Sequence, residues 1–304
     1  MSAARPLALL GVPTSLGAHV PGQERAPSAF RRAGLADQLV DAGFALDDLG
    51  DLATTRYTPD PVHPRAQHAS EIAAVARNVG DALASSFGRG VPALVVGGDC
   101  TIEVGVVAGL ARSVDRIGLV YVDAGPDLNT PATIREGFLD WMGMSHLLGE
   151  PGATDDLSRI GPRFPLLLPD DVVLVGTEPD EGTAHELQRV DELGIRTFWA
   201  DEIRRGPTTA AAAALAEIEA RCDAMLVHFD VDVIDFLDFP AADFPTINAG
   251  LRFDEAMACI DTFVASPKWT GLTVTEFNPD HVDLEEQLVA EFVTRLVASL
   301  RGAA

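Results

Sequence analysis

The chain has 304 residues, a formal net charge of −24 and 47% hydrophobic residues. Such an excess of acid argues against binding to nucleic-acid phosphates or to an anionic membrane surface, and it favours a cationic ligand. The apolar content is sufficient for a large core, and the chain contains no linker or repeat, so we expect one α/β domain over residues 1–304.

Apolar runs and helical periodicity alternate along the first half of the chain. Strands are predicted over 7–12 and 44–49 and at the apolar runs that begin at Ala93 and Ile117. Helices are predicted to begin at Pro27 and to cover 68–86 and 101–113. The segments 13–27 and 51–66 are rich in Gly, Pro and polar residues and are predicted to be loops. Loop 13–27, which carries His19, follows a strand and is either a substrate lid or an ordinary surface loop.

The same alternation continues in the second half. Strands are predicted over 172–176, 196–199, 224–233 and 272–278, and helices over 142–148, 181–193, 208–221, 253–265 and 284–300. Strands that alternate with helices are typical of a single α/β domain built on a parallel sheet.

Acidic residues stand at the carboxyl ends of four predicted strands. They are Asp99, then Asp123 and Asp127, then Asp230, Asp232 and Asp235, and finally Glu276. The carboxyl ends of parallel strands line the ligand crevice of an open sheet, so these side chains are expected to converge. Alternation along strand 224–233 would put His228, Asp230 and Asp232 on one face. Carboxylates held side by side repel each other, and a divalent cation would compensate; a solvated acidic turn is the alternative.

Cys100 stands beside Asp99, after a Gly-Gly turn and at the start of helix 101–113. A helix N-terminus lowers the pKa of a thiol, so metal ligation or chemistry is expected, with a buried inert thiol as the alternative. The other cysteines, Cys222 and Cys259, are distant in sequence, which predicts no disulfide framework and a reducing, cytoplasmic compartment. The first ten residues lack the long apolar segment of a signal peptide, and no apolar run is long enough to span a bilayer.

These motifs resemble those of the ureohydrolase family, which includes arginase, agmatinase, guanidino-acid hydrolases, proclavaminate amidinohydrolase and formimidoylglutamase. The similar stretches run in the family order: 11–17 with 26–35, then 97–102, 123–131, 229–235 and 276–279. The resemblance implies a three-layer α/β/α fold with a parallel sheet of eight strands. It also implies a two-manganese centre that activates water against the carbon of a small cationic guanidino or amidine substrate. Homo-oligomers, trimers or hexamers, are implied as well.

Carried over position by position, the resemblance assigns ligands to both metals. Cys100, Asp123, Asp127 and Asp230 would hold the first metal, and Asp123, Asp230 and Asp232 the second. Asp127, Asp140 and Glu276 are the catalytic candidates, and Asn129, Arg135, Glu136 and His19 are the substrate-binding candidates. Arg135 would pair with a substrate carboxylate, or else remain an exposed surface arginine.

The chain departs from the family pattern at four positions. Cys100 and Gly125 replace the two histidine ligands, Asp140 replaces a proton-shuttling histidine, and Phe236 replaces a proline. A thiolate shifts preference from Mn²⁺ toward Zn²⁺ or Fe²⁺, and a glycine supplies no ligand, so the second metal should bind weakly and one or two metals are expected. His228 is either a compensating ligand or a packed core histidine.

Three hypotheses about function follow. The first is a metal-dependent hydrolase that cleaves a linear C–N bond of a guanidino or amidine compound. Its metal centre would be altered relative to that of the family, and its role would include secondary metabolism. The second is a metal-free enzyme on the same scaffold, with Cys100 as nucleophile or Asp140 and Glu276 as acid–base groups. The third is a non-catalytic homologue that binds a ligand or a partner.

Overall fold

The computed structural model describes residues 4–281 and 285–303. At its centre is an eight-stranded sheet in which neighbouring strands are parallel. The strands are β1 (Arg5–Gly11), β2 (Phe44–Asp51), β3 (Ala93–Val96), β4 (Ile117–Val122), β5 (Val172–Thr177), β6 (Arg196–Trp199), β7 (Ala224–Asp230) and β8 (Trp269–Thr275). Their order across the sheet is β2-β1-β3-β8-β7-β4-β5-β6.

Helices cover both faces of this sheet. They are α1 (Ala26–Arg32), α2 (Leu35–Asp41), α3 (Ala69–Gly88), α4 (Ile102–Leu110), α5 (Gly143–Leu148), α6 (Asp155–Ser158), α7 (Ala184–Leu193), α8 (Ala200–Arg205), α9 (Pro207–Glu219), α10 (Phe253–Val264) and α11 (Glu285–Arg301). Alternate residues of β1 belong to different buried clusters, Leu7 and Leu9 to one and Ala8 and Leu10 to the other. The first cluster packs under α1, α2 and α8–α11, and the second under α3–α7. The predicted three-layer α/β/α fold with a parallel eight-stranded sheet is confirmed.

The inner strands are apolar on both faces because helices cover both faces. Every residue of β3, β4, β5 and β7 is buried. This explains their nearly continuous runs of Val, Leu and Ile, which are typical of a parallel sheet. No helix among the described residues is long and apolar enough to cross a membrane.

Two predicted strands extend three residues too far at the acidic edge of the sheet. Strand β7 ends at Asp230 rather than at 233, and a 3-10 turn follows over Val231–Val233. Asp230 caps this turn, because its carboxylate accepts the backbone N–H of Asp232 at 2.7 Å. Asp230 and Asp232 therefore do not share a strand face. Likewise β8 ends at Thr275, and Glu276 has a left-handed φ of 63°.

Helix α7 begins at Ala184, not at 181, because Thr183 and Glu186 form a capping box that fixes the start of the helix. The predicted start of the last helix at 284 lies outside the described residues.

Candidate metal centre and active site

The strands that carry the predicted site are neighbours in the centre of the sheet. Strands β3, β8, β7 and β4 are consecutive, and they are followed by Cys100, Glu276, Asp232 and Asp123 respectively, with Asp230 closing β7. Because parallel strands end at the same edge, the sheet itself brings these side chains together.

A cavity of about 100 Å³ lies at this edge. Its lining residues are Cys100, Asp123, Gly125, Asp127, Asp140, Trp141, Glu181, Glu186, Asp230, Asp232, Phe244 and Glu276. All predicted metal ligands and all three predicted catalytic residues are among them. The structure thus brings together in one small space the side chains that the sequence placed on separate strands.

Carboxyl groups dominate this lining, and the part of the chain that the structure describes places no lysine or arginine against them. Eight of the lining residues are acids: Asp123, Asp127, Asp140, Glu181, Glu186, Asp230, Asp232 and Glu276. Among the described residues, no Lys or Arg nitrogen lies within 4.0 Å of any of the eight. Burying uncompensated carboxylates is costly, so the cavity must bind either protons or an external cation.

One group of side chains at this edge of the sheet has the spacing of metal ligands; three of its members line the cavity, and His228 lies outside the lining. One atom each from Cys100, Asp123, His228 and Asp230 can be chosen so that all lie within 4.8 Å of one another, and all four side chains are buried. Asp123 Oδ2 is buried without a hydrogen-bond partner, and Cys100 Sγ lies 2.7 Å from Asp230 Oδ2. A thiolate, carboxylates and an imidazole together suit Zn²⁺ or Fe²⁺ better than Mg²⁺ or Ca²⁺.

Backbone contacts fix these side chains. The Cys100 N–H donates to Asp140 Oδ1 at 2.8 Å, and the Gly125 N–H donates to Asp123 Oδ1 at 2.6 Å. The turn before Cys100 needs glycine, because Gly97 and Gly98 have φ of 89° and 92°. A Cβ on Gly97 would also lie 2.4 Å from the ring of Pro27. The thiol and the Asp123 carboxylate are therefore held rigidly toward the cavity.

Gly125, where the family resemblance places a histidine ligand, has space for a side chain. Gly125 has no left-handed φ, and a Cβ added there would meet only Asp123 Oδ1 at 3.5 Å and Asp127 Oδ1 at 3.7 Å. Both are ordinary van der Waals distances, and both atoms are carboxylate oxygens. The residues present therefore fit one metal on the Cys100 side, whereas the Gly125 side offers only carboxylates.

Burial and mutual repulsion raise the pKa values of the cavity acids. Burial, then neighbouring Asp232, raises the pKa of Asp123 well above its usual value, and burial likewise raises those of Asp127, Asp230 and Glu276. Burial and then Asp99 raise the pKa of Asp140 to about 8, and burial raises that of Asp232 to about 6. In the metal-free protein Asp140 is therefore largely protonated at neutral pH, whereas Asp232 is largely ionised.

The metal-free protein should lose stability as pH rises. The ordinary pKa of 3.8 applies to Asp140 in the unfolded chain, so between pH 4 and 8 the folded state binds more protons than the unfolded state. The free energy of unfolding, measured by urea titration with a chelator present, should decrease from pH 5 to pH 9, and Asp140→Asn should flatten that decrease. A free energy that stays level or increases over this range would contradict the assignment.

One expectation about Cys100 was wrong. We expected the start of α4 to lower the pKa of the thiol, but burial and then Asp230 raise it well above 9.0. The helix dipole is outweighed because four carboxyls, those of Asp127, Asp140, Asp230 and Glu276, surround the sulfur.

Two predicted catalytic residues have specific partners. Tyr121 donates its hydroxyl to Asp127 Oδ2, and Gln23 donates its side-chain amide to Glu276 Oε2. The remaining oxygens Asp140 Oδ2 and Glu276 Oε1 are buried without a partner, and a group of Cys100, Asp140 and Glu276 atoms also lies within 4.8 Å. The two carboxyls also interact with each other, because a hydrogen bond between them lowers the pKa of Asp140 and raises that of Glu276.

The predicted substrate-binding residues do not line the cavity. Asn129 is buried and turned away, because its Oδ1 accepts the hydroxyl of Thr183 at 3.1 Å. Arg135 and Glu136 are exposed on the loop. His19 comes closest, since its ring lies 4.2 Å from that of Phe244, which does line the cavity.

Two of the predicted strand-end acids, Asp99 and Asp235, have structural roles and do not line the cavity. Asp99 accepts the N–H of Gly17 at 2.9 Å and thereby anchors loop 13–27. Asp235 accepts the N–H of Leu237 at 2.9 Å in a local turn.

Four lining residues were not predicted: Trp141, Glu181, Glu186 and Phe244. Glu186 had a local signal, the Thr-x-x-Glu spacing of the capping box with Thr183. For Trp141 the only sequence signal was its position next to Asp140. For Phe244 it was a position in a loop rich in aromatic and acidic residues. The rings of Trp141 and Phe244 are stacked with centroids 5.9 Å apart and supply the aromatic part of the lining.

An open parallel sheet with acids, a thiol and an imidazole gathered at its carboxyl edge defines an arginase-like α/β protein with a candidate metal centre. The profile of the Arginase family matches residues 5–301. The chain belongs to the arginase family.

Individual relatives agree with this assignment. The chain is 29% identical over 302 residues to an arginase of Bacillus caldovelox, with 98% of each chain covered. A solved structure of Bacillus caldovelox arginase superposes with a TM-score of 0.87 at 27% identity, covering 99% of both chains. Formimidoylglutamase from Bacillus subtilis shares the fold, with a TM-score of 0.76 at 18% identity over 98% of this chain and 87% of that one.

Proposed function

We propose that the protein is a metal-dependent hydrolase that cleaves a linear C–N bond of a small cationic guanidino or amidine compound. The observation that carries this proposal is the cavity of eight carboxyl groups without a lysine or arginine partner among the described residues. A bound divalent cation and a cationic substrate would together balance this charge. The Bacillus caldovelox relative is an arginase, which supports the reaction class.

Cys100, Asp123 and Asp230 would hold the principal metal, and Asp127 and Asp232 extend the site. Mn²⁺ is typical of the family, but the Cys100 sulfur favours Zn²⁺ or Fe²⁺. A second metal would depend on Asp123, Asp230 and Asp232 beside Gly125, without a nitrogen ligand, and would bind weakly. When bound, a divalent cation lowers the pKa of water and so supplies a nucleophile at neutral pH.

The remaining residues would bind the substrate and handle protons. The unpaired oxygens Asp140 Oδ2 and Glu276 Oε1 can accept N–H groups of a guanidinium or amidinium. Asp140 would pass a proton to the leaving amine; its pKa is about 8 in the metal-free protein, and a bound cation would lower that pKa toward neutral. Trp141 and Phe244 can pack against the planar face of the cation and exclude water.

A cysteine nucleophile is the weaker explanation. Reactive cysteines are thiolates in electropositive surroundings. Cys100 instead faces carboxyls, its pKa is raised well above 9.0, and its sulfur lies 2.7 Å from Asp230 Oδ2. A metal would reverse this environment, because a coordinating thiol is deprotonated by the cation.

Three wider properties belong to the same proposal. We expect one domain over residues 1–304, because the chain contains no linker, and a homo-oligomer, trimer or hexamer, because the family resemblance implies one. The negative net charge argues against nucleic-acid and membrane partners, and the sparse cysteines favour a cytoplasmic location.

A substrate screen tests the proposal. Protein purified without chelators should release urea or ammonia from at least one linear guanidino or amidine compound. Chelation should abolish this release, and Mn²⁺, Zn²⁺ or Fe²⁺ should restore it. Turnover that persists in the fully chelated protein would contradict metal dependence.

Replacing Cys100 separates ligation from nucleophilic attack. Cys100→His should retain metal and most activity, because imidazole is also a good ligand for these metals, whereas Cys100→Ala should reduce metal affinity by more than about 10-fold. Metal content and turnover are measured on both variants. Loss of turnover in both, with metal content unchanged, would instead indicate a nucleophile.

A further inference from the structure

His228 stands in the third-last position of β7, two residues before Asp230, and is fully buried. Its backbone is paired with Tyr121 of β4 and Thr273 of β8. The ring stacks on that of Tyr121, with centroids 4.1 Å apart and planes 5° apart. The imidazole is therefore held in a fixed orientation.

One ring nitrogen faces the candidate metal ligands. Nε2 lies 4.0 Å from Asp123 Oδ2 and 3.3 Å from Thr275 Oγ1, which in turn lies 3.4 Å from Cys100 Sγ. With Cys100, Asp123 and Asp230, His228 forms the group whose ligand atoms all lie within 4.8 Å. In a tetrahedral zinc site, bonds of about 2.0–2.3 Å put neighbouring ligand atoms roughly 3.3–3.8 Å apart, so a small inward adjustment suffices.

The other ring nitrogen faces a buried carboxylate. Nδ1 lies 3.5 Å from Glu103 Oε2, and both side chains are fully buried. Nδ1 and both Glu103 oxygens have no hydrogen-bond partner among the described residues. A histidine kept only for packing would normally have its buried polar atoms satisfied. By contrast, His146, also fully buried, uses both ring nitrogens, toward Met142 O at 2.6 Å and Thr154 Oγ1 at 2.9 Å.

We propose that His228 is the nitrogen ligand of the metal and that Glu103 is its outer carboxylate partner. Metal-binding histidines typically donate their second ring N–H to a carboxylate, which fixes the tautomer. Here Nδ1–H would point to Glu103, and the lone pair of Nε2 would point to Cys100, Asp123 and Asp230. The resulting one-sulfur, one-nitrogen, two-oxygen set replaces the histidines lost at Cys100 and Gly125. The inference rests on the proposed metal dependence and assigns a ligand that the family pattern does not contain.

X-ray absorption of the Co²⁺-loaded protein tests this inference without an activity assay. The wild type should have one sulfur neighbour at about 2.3 Å and the outer-shell scattering of one imidazole. His228→Gln should lose the imidazole scattering, keep the sulfur and bind Co²⁺ about 10- to 100-fold more weakly or worse. Glu103→Gln should keep both signals and weaken binding about 10-fold or more. His146→Gln, which also alters a buried histidine, is the matched control and should retain the wild-type spectrum and affinity.

The outcomes separate this inference from the proposed function. The assignment of His228 is overturned if the wild-type spectrum contains the sulfur signal without imidazole scattering, or if imidazole scattering persists in His228→Gln. Either result leaves the proposed metal-dependent hydrolase standing. Failure of the wild type to bind Co²⁺ with the sulfur of Cys100 overturns both. Should His228→Gln fail to fold, the Glu103→Gln variant and the wild-type spectrum still decide the question.

Discussion

Gly125→His is expected to convert a centre with one tightly bound metal into one with two. The added Cβ would lie 3.5 Å from Asp123 Oδ1 and 3.7 Å from Asp127 Oδ1, and the backbone at Gly125 has no left-handed φ, so neither the backbone nor the Cβ opposes the substitution. It would supply the nitrogen that Asp123, Asp230 and Asp232 lack on that side of the cavity. Loss of an outer partner alone weakens metal binding about 10- to 100-fold, so adding a direct ligand should strengthen the second site at least that much.

Metal content and isothermal titration with Mn²⁺ measure this change. The wild type should take up one tight equivalent per chain and the variant two, with faster turnover of any substrate that the wild type accepts. Gly125→Ala is the matched control, because it fills the same space without a ligand and should stay at one equivalent. Two tight equivalents already in the wild type would contradict the altered centre.

Asp123→Asn is expected to have opposite effects on metal binding and on stability. Asp123 Oδ2 is buried and unpaired, while Asp123 Oδ1 accepts the N–H of Gly125 at 2.6 Å. The amide keeps the size of the side chain but removes a negative charge from the ligand set. Metal affinity and turnover should therefore fall by more than about 100-fold.

The metal-free form of the same variant should be more stable than metal-free wild type. Burial and then repulsion from Asp232, Asp127 and Asp230 raise the pKa of Asp123, so folding requires this side chain to take up a proton at neutral pH, a cost that the amide removes. We expect a gain of about 1 kcal/mol, or roughly 2 °C in Tm. Asp235→Asn, at an acid that caps a local turn outside the cavity, is the control and should change neither property. A loss of stability without a loss of metal would mean that Asp123 serves the fold and not the centre.

The architecture could be predicted because it depends on local patterns. Runs such as Ile117–Val122 are apolar on both faces, and acids follow them directly, so the parallel sheet and the convergence of Asp123 with Asp230 followed from the sequence. Strand ends were harder, because they depend on single hydrogen bonds. The side chain of Asp230 turns the chain into a 3-10 helix, and no periodicity in 224–233 indicates this.

The environment of each site residue could not be predicted from the sequence. Glu103 is an ordinary acid in the first turn of a helix, and only the packing of α4 against the sheet puts it 3.5 Å from His228. Phe244 reaches the cavity from a distant loop. Two effects act on the pKa of Cys100: the start of α4 lowers it, and burial among carboxyls raises it. Their sizes could be compared only once the positions of the carboxyls were known.

Anomalous scattering from crystals of the wild-type protein, purified without chelators, is the most direct test of the account. Data collected on both sides of the absorption edges of Mn, Fe and Zn should contain one strong peak per chain, bounded by Cys100 Sγ and by carboxylate oxygens of Asp123 and Asp230. An active protein without a peak among these three side chains would contradict the metal centre on which the proposed chemistry depends.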